Sequence, residues 1–201
     1  MSAETITRSS LKLNNKPFYK ADGSLDVEKA KQAYFDMFKK FHYPIYECLK
    51  GKDMMVTDFG LKDFVNVGMG GFFWINNKGC NIFGDEIYLL PGQMIAEHAH
   101  VQAGDVKPKM EAWQVRHGLV WTFSDAEPNL PLPIEFPKSQ EDTKAITARH
   151  WQLVKPGEIV ALNRPGAMHF MIAGPQGAIA TEYATYHADA ALRFSNPGVT
   201  G

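Results

Sequence analysis

From about Met54 onward the chain reads as eight short runs rich in β-branched and aromatic residues: VTDF, FVNVGMGGFFWIN, EIYLLPG, AWQVRHGLVWTF, ARHWQLV, EIVALN, HFMIAG and AIATEYATY. Gly, Pro or Asn separate them and no helical period intervenes, which restricts this part of the chain to an antiparallel sandwich or a small barrel. With 201 residues a single core can hold such a fold without disulfides or a structural metal, so any metal would serve chemistry. Aromatic content of 12% and hydrophobic content of 45% place the chain among globular rather than disordered sequences.

Ahead of the β-rich part, Val27, Ala30, Tyr34, Met37, Phe38 and Phe41 recur at helical spacing. This predicts a helix over roughly Asp26 to Lys50, with Asp26 as N-cap, Gly51 as the stop and a kink or split at Pro44. Such an aromatic stripe must lie against something, either the following domain or a partner subunit. The division is a helical arm over 1–53 and a barrel domain over 54–201. A proline-rich insert near 126–144, AEPNLPLPIEFPKSQEDTK, reads as an extended loop, a lid or a subunit contact.

Several function classes drop out. A formal net charge of -1, with Lys39 and Lys40 the longest basic cluster, gives no electrostatic footprint for nucleic acid. No apolar run approaches the roughly 18 residues that cross a bilayer, and the opening MSAETITRSSLKLNNK has no apolar leader core, so no membrane partner is expected and the cytoplasm is the expected compartment. Cys48 and Cys80 have no redox spacing and are expected to be buried thiols.

One constellation carries chemistry. On a strand, His98 and His100 of EHAH point to the same side, roughly 6.6 Å apart along the backbone, a workable separation for two imidazoles on one ion. Glu111 heads a row on the next run, with Trp113, Val115, His117, Leu119, Trp121 and Phe123, that is mostly apolar, as an interior face would be. A carboxylate there needs a partner, and a cation offsets the cost of burying it. His169, after the Pro165–Gly166 turn, supplies a fourth donor. Spacing alone leaves open two ordinary histidines and an ordinary glutamate. His42, His117, His150 and His187 lack the spacing and read as surface or core residues; His117 has the parity but lies about 20 Å along the strand from Glu111.

The frame Gly92, His98, His100, Glu111, Gly118 resembles the first cupin motif, and Gly157, Pro165, Gly166, His169 the second. The ten residues VQAGDVKPKM between His100 and Glu111 are more than generic cupins have, and are what the D-lyxose isomerase family of cupins looks like. The similarity also takes in LLPGQ, the Lys109-Met110-Glu111 triplet, Arg116, Gly118, PGAMHF, ATEYAT and the tail RFSNPGV. The arm is not matched. The resemblance implies a mainly β fold, a cupin jelly-roll β-barrel with an N-terminal helical arm, holding a divalent metal on His98, His100, Glu111 and His169. Manganese stands first, and Zn, Co, Fe or Ni also suit three imidazoles and a carboxylate. It further implies aldose-ketose isomerisation of a small free sugar, of the D-lyxose/D-xylulose or D-mannose/D-fructose type, by a homodimer to which the aromatic helix is a candidate contributor.

Isomerisation needs groups that move a proton between C1 and C2. Lys109 shares the face of Glu111 at the barrel mouth, where a nearby cation would depress its pKa; the plainer reading is a solvated loop lysine beside Pro108. Glu182 alternates with Ala178, Ala180 and Ala184, small neighbours that leave space around a carboxylate; the plainer reading is an exposed charge on an edge strand. With the resemblance, Glu182 and Lys109 are expected to share proton transfer through a cis-enediol. Arg116, opposite in parity to Glu111, is left outside the site; Trp113 and Trp74 read as packing with an option to stack on a sugar, and Asn163 and Arg164 as supports of the turn. The competing functions are a metal-dependent oxygenase and a sugar-binding cupin without turnover.

Overall fold

The β-rich runs become strands β1 (Met55–Thr57), β2 (Met69–Asn77), β3 (Ile82–Leu89), β4 (His98–His100), β5 (Glu111–Ser124), β6 (His150–Val154), β7 (Ile159–Ala161), β8 (His169–Ala184) and β9 (Leu192–Phe194). They come from a computed structural model that describes residues 5–11 and 13–200. All named pairs are antiparallel: β1, β2, β3, β8, β4 and β9 follow one another across the sheet, while β5 pairs with β6, β7 and β8. The architecture is the mainly β, cupin-type barrel expected.

Closure depends on the two longest strands. β5 and β8 pair from Glu111 opposite Ala184 to Ser124 opposite His169. A straight ribbon would hold Glu111 and His169 roughly 44 Å apart, yet their side chains meet at 3.1 Å. The ribbon therefore bends back on itself, and the bend sits where the register breaks. Gly118 faces Ala178 and Val120 faces Ala173, so the residues from Gly174 to Gly177 stand opposite the single Leu119. Such bulges turn barrel corners. Gly118 has φ 74°, and a Cβ there would lie 2.0 Å from the carbonyl oxygen of Gly177, so only glycine fits. The runs HFMIAG and AIATEYATY, separate in the sequence, are thus one strand with a corner at Gly174–Gly177.

A second register shift, between Val115 and His117, corrects the parity reading of β5. Glu111, Trp113 and Val115 face the interior. Beyond the corner, Val120 does so, while Trp121 and Phe123 turn to the opposite face and pack with Ile134, Phe136, Phe170 and Ile172. His117 leaves the interior altogether: its ring stacks on Phe41 at 5.4 Å and meets Tyr43 edge-on at 5.9 Å.

Helix α1 (Val27–Lys40) starts at Asp26, whose side chain accepts from the backbone N–H of Lys29. It stops at Lys40, ten residues short of the expected Lys50, because His42 adopts φ 54° and Pro44 follows; residues Glu47–Lys50 form a separate 3-10 turn. Its buried side, Ala30, Tyr34, Met37 and Phe38, packs on Tyr88, Leu90 and Ile179 of this chain's own barrel. The Tyr34 hydroxyl donates to Gln93 at 2.7 Å, and Gln93 also ties Leu90 and Phe64. The aromatic stripe is therefore consumed within the chain and not offered to a partner.

Two further expectations are corrected. The insert is not a lid: Ile134 and Phe136 are buried under the outer side of β5 and β8, a short helix α2 (Lys138–Glu141) forms within it, and no residue from 126 to 144 lines the main cavity. Cys48 and Cys80 are free and exposed rather than buried, since they sit in the 3-10 turn and in the β2–β3 hairpin. No described helix is long and apolar enough to cross a membrane.

Candidate metal centre

Three strands each deliver their first residue to the barrel interior. His98 opens β4, Glu111 opens β5 and His169 opens β8, with His100 two residues after His98. His98 and His169 are direct cross-strand partners with rings 4.4 Å apart. Donor nitrogens of His98, His100 and His169 all lie within 4.8 Å of one another. Glu111 closes the group: Oε1 is 3.0 Å from Nε2 of His100 and Oε2 is 3.1 Å from Nε2 of His169.

The surroundings orient these donors. Nδ1 of His98 lies 2.9 Å from the carbonyl of Ala96, and Nδ1 of His169 2.8 Å from that of Ala167. Each carbonyl can only accept, so the ring proton sits on Nδ1 and the Nε2 lone pair points inward, the arrangement typical of metal-bound imidazoles. Nε2 of His169 and Oε1 of Glu111 are buried without a hydrogen-bond partner. Lone pairs converging in a dry interior repel unless a cation lies among them, and three nitrogens with one carboxylate oxygen suit a divalent ion. The residues present fit that ion.

Charge balance is consistent with this. Burial, with His169 and His100 nearby, pushes the His98 imidazole well below its usual range, which keeps it in the neutral, ligating form. Burial alone would raise Glu111, but a protonated His169, itself raised by Glu111 against burial, together with Lys109 and His100 holds the carboxyl well below the usual range; an ion among the donors would take the place of that proton.

Lys109 and Glu182 stand beside the donors. The Lys109 ammonium is ion-paired with Glu182, lies 3.6 Å from Oε1 of Glu111 and sits 4.1 Å over the ring of Phe83. The indole N–H of Trp113 donates to Glu182 at 3.1 Å. Both plainer readings are thereby replaced, because Lys109 and Glu182 are buried. Burial opposes the charge on Lys109, yet Glu182 and Glu111 outweigh it and raise the amine, whereas burial and Glu111 raise Glu182. The sequence expectation of a lowered Lys109 rests on the charge of an ion, and the two carboxylates act in the opposite direction.

Strand register arranges the wall. One inward row runs Phe73, Asp85, Glu182, Trp113 across β2, β3, β8 and β5; a neighbouring row runs Phe83, Ala184, Glu111. Ala180 and Ala184 flank Glu182 on β8 and leave room in front of it. Together with the donors these rows bound a cavity of about 620 Å³, ample for a small ligand.

Two cavity residues escape the sequence reading. Asp85 is buried on β3, and its signal is present in FGDEIYL, where it shares parity with Phe83 and Ile87. His187 follows β8 in a loop without periodicity; the Asn76 side chain holds its backbone N–H and C=O, both at 3.1 Å. Its ring stacks on Phe83, reaches 5.3 Å from His100 and pairs with Asp189. Burial, Lys109 and His100 lower it to about 4. Arg116 is exposed, Trp74 lies on the outer face against Phe72 and Tyr46, and Arg164 is ion-paired with Asp125 beside the turn.

The chain is 31% identical over 145 residues to the D-lyxose ketol-isomerase of Cohnella laeviribosi, covering 72% of this chain and 76% of that one. It is 28% identical over 172 residues to the D-lyxose/D-mannose isomerase of Thermosediminibacter oceani, covering 80% and 92%. Among solved structures, the L-ribose isomerase of Cellulomonas parahominis with no ligand superposes with a TM-score of 0.66 over 97% of this chain and 95% of that one, at 12% identity. That likeness concerns the fold. No family model matches the chain.

Proposed function

The chain belongs to the D-lyxose ketol-isomerase family, and from that premise we propose that it interconverts a free aldose and ketose of the D-lyxose/D-xylulose or D-mannose/D-fructose type. It is an aldose-ketose isomerase, and its substrate is a small sugar. The observation that carries the reading is the buried Lys109–Glu182 pair placed directly against a four-donor centre inside the cavity.

A divalent ion held by His98, His100, Glu111 and His169, with manganese placed first, would polarise the sugar carbonyl and acidify the adjacent C–H. The protein's own groups then divide the proton traffic. Glu182 takes the C2 proton of the open-chain aldose while Lys109 donates a proton to O1, giving a cis-enediol. Lys109 recovers a proton from O2, and Glu182 returns its proton to C1, so the ketose forms and both groups are reset. Trp113 holds Glu182 in place from the same row, and the small Ala180 and Ala184 give the carbons access to it.

An oxygenase does not call for an ammonium and a second carboxylate beside the ion, and a module that only binds sugar does not need all four donors intact. Incubation of the metal-loaded protein with D-lyxose, D-mannose and D-fructose should give aldose-ketose conversion without oxygen uptake. Oxygen consumption without sugar conversion would sink the isomerase reading. A homodimer is also proposed; with the α1 stripe buried, exposed Trp74, Ile75, Ile82 and Tyr183 on the outer sheet support a contact there. Light scattering that returned a monomer's mass would remove it. The two free thiols support a reducing, cytoplasmic location.

A further inference from the structure

We propose that Asp85 is the acceptor for a sugar hydroxyl beyond C2 and so a specificity-determining residue of this enzyme, an inference that rests on the isomerase reading above. Asp85 lines the cavity and is only 3% exposed, yet its Oδ1 has no hydrogen-bond partner. A buried acceptor without a donor is rare enough to require an explanation, and an incoming ligand is one.

No side chain donates to its Oδ1: Lys109 and Trp113 donate to Glu182 instead, and Nε2 of His187 is paired with Asp189 at the exposed rim. Most of the remaining wall is apolar, including Phe73, Phe83, Ile87 and Phe194. The ion and the Lys109–Glu182 pair account for O1 and O2 of the sugar. Its other hydroxyls enter the same apolar space and lose water, so they need acceptors.

Register places Asp85 where one of them would arrive. Asp85 is directly opposite Glu182 on the strand beyond β8, on the side away from Glu111. Neighbouring strands are about 4.8 Å apart, a span that a chain of about three carbons bridges. With C1 and C2 over Glu182, a hydroxyl further along the sugar meets Asp85, and Phe73 in the same row faces the chain's C–H side.

The test uses metal-loaded full-length protein and its Asp85→Asn and Asp85→Ala variants, with D-mannose and its 3-, 4- and 6-deoxy derivatives as substrates. Both variants should keep their metal content and melting temperature, since no hydrogen bond of Oδ1 is lost. Burial and Glu182 raise the Asp85 carboxyl well above its usual range, so in Asp85→Ala the KM for D-mannose should rise about twofold to tenfold, the range for a hydrogen bond between neutral groups. Asp85→Asn, which keeps an acceptor oxygen, should rise less, and kcat should change little in both. The parent should lose a similar factor on one deoxy sugar, and Asp85→Ala should be indifferent to that same deletion. Equal sensitivity of parent and Asp85→Ala to every deletion, a loss confined to kcat, or a fall in melting temperature would overturn the proposal. A parent enzyme that converts neither D-mannose nor D-lyxose would overturn the isomerase reading, and this inference with it.

Discussion

Replacing Glu111 by Ala should strip the ion and reduce sugar turnover to background. The carboxylate is the only anionic donor in the centre, and its two oxygens bridge the space between His100 and His169. Without it the cation would face three neutral imidazoles and, within reach, the ammonium of Lys109, which repels it. Stability gives a second readout. An ion present at about a hundred times its dissociation constant stabilises the native state by about 2.7 kcal/mol, which for a domain of this size corresponds to roughly 5–10 °C in melting temperature. Chelation should lower the melting temperature of the parent by that amount and leave Glu111→Ala unmoved. Full metal content and activity in the variant, measured by elemental analysis and sugar conversion, would remove Glu111 from the centre.

Glu182→Gln should do the opposite with the metal and the same with turnover. Glu182 is not among the donors, so the ion stays. The amide cannot accept a proton from carbon, and loss of a general base costs about 10²- to 10⁴-fold in kcat. The shape of the wall is kept, and the single amide oxygen can still accept from one of the two donors, Lys109 or Trp113. Isotope transfer checks the assignment independently: sugar deuterated at C2 should lose part of its label to water in the parent. Complete retention of the label at C1 would mean a hydride shift and leave Glu182 without its role, as would undiminished kcat in the variant.

The clustering of the candidate donors was legible in the sequence for a physical reason. His98, Glu111 and His169 are the first residues of their strands, so no bulge has yet disturbed the alternation that predicts where they point. Later positions on β5 were misread because two register shifts intervene: His117 moved out under Phe41, and Trp121 and Phe123 moved to the face covered by the insert. Glu182 was legible because β8 alternates without interruption from Ala178 to Ala184. Asp85 carried the same signal as Glu111, a carboxylate in an apolar row, and was passed over. His187 carried none, since only the Asn76 contact with a distant loop brings it to the cavity. Proline content concealed the apolar pair Ile134 and Phe136, which is what buries the insert.

The bent β5–β8 ribbon also sets an order of events for a newly made chain. The donors come from positions spread between residues 98 and 169, and Glu111 and His169 lie at opposite ends of one paired ribbon. Neither pairing the strands nor forming the hairpin brings them together; only rounding the corner at Gly118 does. Contacts of such long sequence separation form late and slowly. All four candidate donors come together once the ribbon has rounded that corner, so ion uptake by a refolding chain would serve as a clock for the last step of assembly.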